Sequence, residues 1–378
     1  MFELLKLKPE AFGLNISDRS IKIIKLRKHR GVLSLASFGE TEIKPGIIEE
    51  GEIKDQKALI ETIKLSVKKI KGERLRTNYV VASLPEEKAF LQVIQLPIVE
   101  DNELKRAAYY EAENHIPLPI GEVYLDSQIV KPVVDHLDHL DVLIAAMPKK
   151  IVDPYLVSIK KAGLIPKILE TESQAISRAL IKNEVSPFPV LIINIGLTKT
   201  CFVIFSGYSL RFTSSIPISS QRISEVISTG LGISIAEAED LKTKAGLSQD
   251  FHKKREDGSE IAVAAKRILE IADPLMVDLV NRVKSYLGYY QSYVSHEHLS
   301  SDVKEVKKIL LCGDGASFKG LDDFLSVKLK IPVEIANPWI NILPEIKKEI
   351  PGLSFDKTLS FATALGLGLR ALEENQEK

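Results

Sequence analysis

The sequence predicts an α/β protein of two related lobes facing a shared cleft, with a small α+β unit inserted into the first lobe. Four observations carry this reading. Residues 13–26 (GLNISDRSIKIIKL) and 190–204 (VLIINIGLTKTCFVI) each run as apolar strand, short polar turn and apolar strand. Asn15 and Asn194 stand at the same place in the two copies, each followed by Ile and a small residue. The length, 378 residues, exceeds what one ordinary core organises. Between about residues 84 and 163 the texture changes to a compact run of strand, helix, strand, strand and helix.

Taken in order, residues 12–26 read as a hairpin and 32–38 as a further strand with alternating Leu33 and Leu35 against Ser34 and Ala36. In 55–70, Leu59, Ile60, Ile63, Val67 and Ile70 recur at helical spacing. Residues 78–83 form a short buried-type strand. A strand at 89–96 stops at Pro97, and a helix over 101–115 begins with acids that suit its dipole. Two strands, 123–130 and 140–147, precede a helix at 151–162 that ends on Gly163, a C-cap glycine. A strand at 165–169 and a helix at 173–182 lead to the second copy. Strands fill 190–218, and helices follow near 220–231, 234–245 and 261–293, the last broken or kinked at Pro274. The polar stretch 249–259 reads as a loop. A strand at 308–311 feeds Gly313-Asp314-Gly315-Ala316, a helix at 320–329 follows, and a helix over 359–372 precedes an acidic tail.

Composition narrows the function classes. Hydrophobic residues are 45% and charged residues 27%, ordinary for a globular protein. Lys+Arg and Asp+Glu are both 51, so the net charge is zero and there is no electrostatic footprint for nucleic acid. The basic runs at 68–71 and 253–255 read as solvated helix faces. The two cysteines, Cys201 and Cys312, sit in apolar runs as buried thiols, with no disulfide or zinc pattern. No signal-peptide pattern and no spanning apolar run is present, so a cytoplasmic location is expected.

The turn Asn15–Ser20 contains no glycine, which limits how closely a phosphate approaches its backbone. The turn after Asn194 offers Gly196, Thr198, Lys199 and Thr200 as backbone, hydroxyl and ammonium donors. Gly313–Ala316 is a strand–glycine–helix junction, suited to a flat ligand or simply to a tight turn. Glu239 and Lys242 share a helix face and read either as sugar-hydroxyl partners or as a surface ion pair. The clusters Asp135-His136-Leu137-Asp138-His139-Leu140-Asp141 and His296-Glu297-His298 lack a distant ligand set, so no metal site is assigned. Gly-x-Ser-x-Gly, His-Glu-x-x-His and Walker-type loops do not occur.

These pieces occur in one order: turn, inserted unit, second turn, Ala-Glu-x-x-Lys helix, glycine junction and small-residue terminal helix. That order resembles the actin-like ATPase superfamily of actin, MreB, FtsA and the DnaK-type chaperones. Within it the chain is most similar to the PilM family of type IV pilus assembly proteins. The likeness is strongest at residues 13–26, Leu96-Pro97 with Glu103-Leu104, 111–117 (EAENHIP), Ala145-Ala146, 161–164 (KAGL) and 364–370 (ALGLGLR).

The resemblance implies an actin-like two-lobed fold of duplicated ribonuclease H-like domains with a 1C-type subdomain. The first lobe would take residues 1–83, 164–187 and 345–378, the inserted subdomain 84–163, and the second lobe 188–344, with its smaller part near 220–300. It implies an ATP cleft with Mg²⁺. Asn15, Ser17, Asp18, Arg19 and Ser20 would form the first phosphate turn. Asn194, Gly196, Thr198, Lys199 and Thr200 would form the second. Glu239 and Lys242 would meet the ribose, with Gly313, Asp314, Gly315 and Ala316 beneath the adenine. The implied role is a cytoplasmic scaffold that binds the N-terminal peptide of a PilN-like membrane protein beside the inserted subdomain, reaches the inner membrane only through that partner, and joins the other components of the pilus assembly complex.

The departures from the family pattern bear on catalysis. Active superfamily members place an acid at one or both of the Asn15 and Asn194 positions, and Asn can neither neutralise a metal nor act as a base. Ser17 stands where glycine is usual, and Asp18 and Arg19 replace small polar residues. Glu170, at the end of a strand, remains to position a water, so slow or absent hydrolysis is expected. Two alternatives stay open: an active actin-like ATPase or small-molecule kinase, and an FtsA-like filament protein. FtsA-type proteins end in a basic amphipathic membrane helix, whereas these terminal residues are acidic and polar.

Overall fold

The computed structural model describes residues 10–98, 101–131, 139–247, 260–293, 305–343, 349–350 and 353–373. The chain opens with β1 (Ala11–Ile16), β2 (Ser20–His29) and β3 (Val32–Glu42), an antiparallel meander. A two-stranded hairpin, β4 (Ile48–Glu49) and β5 (Glu52–Ile53), precedes α1 (Gln56–Lys68), β6 (Lys71–Gly72) and β7 (Tyr79–Leu84). Asp55 starts α1 by accepting from the Ala58 amide at 2.9 Å, the expected N-cap bond.

The inserted unit follows as β8 (Phe90–Leu96), α2 (Asp101–His115), β9 (Val123–Ile129) and β10 (Leu140–Pro148). Its three strands form a separate antiparallel sheet in the order β8-β10-β9. Ile94, Leu96, Leu104, Ala108, Ala112, Ile116, Val142 and Ile144 give it a core of its own. The next helix, α3 (Lys149–Lys161), packs elsewhere: Ile151, Val152, Tyr155 and Ile159 join Leu59 and Ile63 of α1 in the core beneath the first sheet. The chain re-enters that sheet with β11 (Ile165–Thr171) and leaves on α4 (Glu172–Leu180).

The second lobe comprises β12 (Ser186–Ile195), β13 (Thr200–Gly207), β14 (Ser209–Ile216), α5 (Ser220–Leu231), α6 (Ile235–Lys244), α7 (Glu260–Tyr293), β15 (Lys308–Cys312), α8 (Leu321–Leu329) and β16 (Val333–Ile335). A hairpin of β17 (Glu349–Ile350) and β18 (Leu353–Ser354) and a short α9 (Phe355–Leu359) lead into α10 (Ala362–Glu373). The terminal helix expected over 359–372 is α10, and the short α9 precedes it across Ser360-Phe361. Of the break or kink expected at Pro274, the break does not occur: α7 runs unbroken through the proline. Buried Ala272, Met276, Leu279, Val280 and Val283 hold the helix to the core on both sides of the proline, which outweighs its lost hydrogen bond.

The two large sheets have one topology. The first runs β11-β7-β1-β2-β3, with β6 at its edge, and the second runs β16-β15-β12-β13-β14. In each, the central strand is antiparallel to its hairpin partner and parallel to a later strand: β1 with β2 and β7, β12 with β13 and β15. All six residues of β1 are buried, as expected of a strand covered on both faces. The repeat seen at residues 13–26 and 190–204 is therefore the central hairpin of two copies of one sheet.

The lobes share a core at their junction. Ile24, Leu26 and Phe38 of the first sheet meet Ile192, Val203 and Phe205 of the second, with α4, α10 and Trp339 between them. The small residues of α10 permit this. A Cβ on Gly366 would lie 1.8 Å from the Ala175 carbonyl oxygen of α4, and one on Gly13 would lie 2.6 Å from the Gly368 nitrogen.

Candidate functional site

The two turns of the repeat face one another across the cleft. Each closes in the same way: the Ser17 amide donates to the Ser20 carbonyl at 3.0 Å, and the Gly196 amide to the Lys199 carbonyl at 2.8 Å. In the first turn the Ser17 hydroxyl also donates to the Ser20 carbonyl, at 3.0 Å, so a side chain reinforces a turn that has no glycine.

The paired asparagines are held alike. Asn15 Oδ1 accepts from Ser83 Oγ of β7 at 2.8 Å, and that hydroxyl in turn accepts from the Ile16 amide. Asn194 Oδ1 lies 3.7 Å from Cys312 Sγ of β15, its partner in the parallel register. Each carbonyl oxygen is thus met by a side chain from the parallel neighbour strand.

A cavity of about 40 Å³ remains between the turns, lined in part by Asn15, Ser17, Arg19, Lys22, Asn194, Gly196, Thr198, Lys199, Asp314 and Thr363. Three links cross it. Asp18 accepts from Thr198 Oγ1 at 3.4 Å with one carboxylate oxygen and from the Gly51 amide at 3.1 Å with the other. Lys22 Nζ sits 3.5 Å from Asp314 and 3.6 Å from Glu40. Lys199 Nζ pairs with Glu87, from the turn after β7, and with Glu172 at the start of α4 at 3.0 Å.

This last cluster is buried. Burial opposes the charge of Lys199, but Glu172 and Glu87 outweigh it and hold its pKa well above the ordinary value. Burial pushes Glu172 and the neighbouring Glu86 upward. Glu86 accepts from the Ser173 amide at 3.0 Å, at the N-terminus of α4, which favours the anion there. Burial also raises Asp314, with Lys22 opposing.

Several residues singled out in the sequence have structural partners. Thr200 is buried and donates to the Ile218 carbonyl at 2.7 Å. Lys242 is fully buried and donates to the Ser220 hydroxyl at 2.8 Å, the Ser224 hydroxyl at 2.9 Å and Glu239 at 2.9 Å, tying α6 to α5. Burial lowers its pKa. Gly313 has φ 89° and packs so tightly on the second turn that a Cβ would meet Asn194 Oδ1 at 2.4 Å. A Cβ on Gly315 would meet Ile195 Cγ2 at 2.2 Å. Ala316 is buried beside them in the second-lobe core.

Glu170 does not line the cavity. Both its oxygens are taken by Arg178, at 2.6 and 3.1 Å, away from the turns. The acid from this region that faces the cleft is Glu172, two residues on and around the strand-to-helix corner. Sequence reading missed Lys22, Ser83, Glu86, Glu87 and Glu172. Lys22 carried a signal: with Lys25 it is one of two cations inside the apolar run 21–26 of β2. Among the described residues no group of three or more His, Cys, Asp or Glu could hold a metal ion. Residues 135–138 and 296–298 of the histidine-containing clusters lie outside the described residues, and Asp141 pairs with Arg211 at 2.9 Å.

A larger, mostly apolar groove of about 350 Å³ separates the inserted sheet from the first lobe. Tyr124 and Leu125 of β9, Ala145 and Met147 of β10, Leu156 of α3 and Leu169 of β11 line it. Among the described residues no helix is long and apolar enough to cross a membrane.

Comparison with solved structures places the fold. The chain is 25% identical to a protein of the "PilM-PilN type IV pilus biogenesis complex", with a TM-score of 0.74 over 96% of this chain and 98% of that one. MreB5 of Spiroplasma citri bound to ADP is 14% identical, with a TM-score of 0.52 over 98% of each chain. The ethanolamine utilization protein EutJ from Carboxydothermus hydrogenoformans is also 14% identical at 0.52, over 96% and 89% of the two chains. These likenesses establish the actin-like fold. The family model described as type IV pilus assembly protein PilM matches residues 13–372. With the duplicated sheet, the facing turns and this match across nearly the whole sequence, the chain belongs to the PilM family of type IV pilus assembly proteins.

Proposed function

We propose that this chain is a scaffold of the inner-membrane assembly complex of a type IV pilus or a related secretion machine, docking the N-terminal peptide of a PilN-like membrane protein. The supporting observation is the groove between the inserted sheet and the first lobe. It joins a 350 Å³ apolar hollow to the open surface of a unit with its own core, in a chain similar along its length to a protein from a PilM–PilN complex. An apolar groove lined from several elements suits a short peptide with apolar anchors. The chain would then work in the cytoplasm and meet the membrane through that partner.

The cleft between the turns fits an anion in charge. Three cations, Arg19, Lys22 and Lys199, and the Thr198 hydroxyl line it against two acids, Glu172 and Asp314, and Lys22 has only long ionic contacts. Its 40 Å³ compares with about 30 Å³ per water molecule in the liquid. A nucleotide such as ATP, with or without Mg²⁺, therefore requires the lobes to part. Those residues would then hold its phosphates.

Slow or absent hydrolysis is the reading this geometry supports. Asn15 and Asn194 are uncharged, Glu170 is tied to Arg178 and Glu172 to Lys199, and Asp314, the other acid of the lining, faces Lys22 at 3.5 Å. A synthetic peptide of the N-terminal segment of a PilN-like protein, titrated into the full chain, tests the main reading. Micromolar binding that falls at least tenfold in Leu156→Arg supports it, and no binding to the folded chain refutes it. Multiple-turnover hydrolysis of Mg-ATP, abolished in Glu170→Ala, would overturn the catalytic part and restore an active ATPase or kinase.

A further inference from the structure

Both lysines that line the cleft between the turns are held by acids of the opposite lobe. Lys199 of the second turn pairs with Glu87 and, at 3.0 Å, with Glu172, both from the first lobe. Lys22 on β2 of the first lobe lies 3.5 Å from Asp314, which follows β15 in the second. The lining as a whole carries one cation more than it has acids, but the corner around Lys199 does not. There Glu86, Glu87 and Glu172 surround a single ammonium, with Asp18, Tyr155 and Cys201 as titratable neighbours. Three carboxylates against one lysine repel an incoming anion.

Space imposes the same condition. The cavity measures about 40 Å³, little more than one water molecule, so a phosphate reaches Lys199 only by taking the place of the acids. We propose that Glu87 and Glu172 stand on Lys199 where a ligand phosphate binds, and that this internal competitor holds the cleft shut. It presupposes the nucleotide reading above and adds its regulation: affinity for a nucleoside diphosphate or triphosphate is set by how readily the acids leave the lysine.

The two acids are not equivalent. Glu172 is the first residue of α4, where the helix dipole favours a carboxylate even without a cation. Glu87 lies on the short turn between β7 and β8. Among the described residues its Oε1 is buried and accepts no hydrogen bond, so its charge rests on Lys199. Once a phosphate claims Lys199, Glu87 is a buried anion without a partner and swings to water, because an unpaired buried charge is costly. The turn is held by the Lys88 amide on the Pro85 carbonyl at 3.3 Å and the Ala89 amide on the Glu86 carbonyl at 3.0 Å. Both bonds loosen as Glu87 leaves.

Calorimetric titration of ADP into the full chain tests this. Glu87→Gln keeps the size of the side chain and removes its charge, and is expected to bind ADP at least tenfold more tightly. Competition for one lysine predicts that the gain disappears without that lysine: in a chain carrying Lys199→Gln, adding Glu87→Gln changes affinity less than threefold. Amide exchange on the unaltered chain gives a second measurement that does not depend on the Lys199→Gln chain folding. Saturating ADP is expected to speed exchange at Lys88 and Ala89 at least threefold. The competitor is overturned if Glu87→Gln binds ADP no more tightly, if the gain persists in Lys199→Gln as a general effect of charge, or if ADP leaves exchange at Lys88 and Ala89 unchanged. Binding of ADP without these effects overturns the competitor alone. A folded Glu87→Gln chain and a folded unaltered chain that both fail to bind ADP overturn the nucleotide reading with it.

Discussion

Replacing Lys199 by Met tests the lobe junction most directly. The lysine comes from the second lobe and both acids from the first, so one side chain neutralises two carboxylates across the cleft. The three side chains are 17%, 15% and 6% exposed for Lys199, Glu87 and Glu172. Removing one partner of a buried ion pair costs about 3–5 kcal/mol, because the other charge is left without compensation. The pH dependence follows from the two shifts. Lys199 has its folded pKa raised, so its stabilising effect is fully present below its unfolded pKa and is lost only in strong alkali. Glu172 is already raised, and without the lysine it rises further. An acid with a raised folded pKa destabilises the fold above that pKa and costs nothing below its unfolded value. The loss in Lys199→Met is therefore expected to be about 3–5 kcal/mol at pH 7.5 and to shrink steadily as pH falls towards 4.5. Urea unfolding, followed by the single tryptophan, Trp339, in the shared core, reads it out. Adding Glu172→Gln to the variant should restore more than about 1 kcal/mol at pH 7.5. A loss below about 1 kcal/mol, or an equal loss at both pH values, refutes the reasoning.

Three further outcomes are expected. Gly366→Ala drives a methyl group to within 1.8 Å of the Ala175 carbonyl oxygen, so α4 and α10 must separate; a loss of about 3 kcal/mol or more in a thermal or urea melt checks this. Lys242→Met strands Ser220, Ser224 and Glu239 and should cost about 2–4 kcal/mol, whereas Glu239→Gln, at a half-exposed site, should cost under about 1 kcal/mol in the same melts. Asn15→Asp keeps the acceptor for Ser83 but buries a charge beside the cavity, so the melting point should fall at neutral pH and recover in acid, while Mg²⁺-dependent affinity for a non-hydrolysable ATP analogue rises roughly tenfold, equivalent to about 1.4 kcal/mol. Calorimetric titration with and without Mg²⁺ measures it.

The fold was legible because its signals are local. β1 and β12 are carried by apolar residues up to their asparagines, Asn15 and Asn194, and α2 starts on Asp101 and ends on His115 before a proline, as its sequence indicates. Pro274 leaves α7 unbroken because a helix wedged in a core tolerates a proline that a free helix does not. The cleft was legible as two turns but not as a set of charges. Lys199 reads as a ready phosphate donor until Glu87 and Glu172 arrive from distant parts of the chain to claim it. Glu170 and Glu172 are indistinguishable in sequence. The corner at Thr171, where strand becomes helix, sends one to Arg178 and the other to the cleft.

The short turn Glu86-Glu87 has a consequence for signalling. Leu84, just before it, lines the apolar groove, and Ala89, just after it, lines a further cavity against β14, while Glu87 pairs with Lys199 at the cleft between the turns. Three cavities thus meet on six consecutive residues. Were a ligand to draw Lys199 away from Glu87, the turn at the root of the inserted sheet would lose that tie to the second lobe, and a peptide that shifted the root would change how firmly Lys199 is held. Binding free energies are reciprocal, so the factor by which an anion in the cleft alters peptide affinity must equal the factor by which the peptide alters anion affinity. Such an exchange needs no bond to be cleaved, so a member of this family without turnover can still pass information between its lobes.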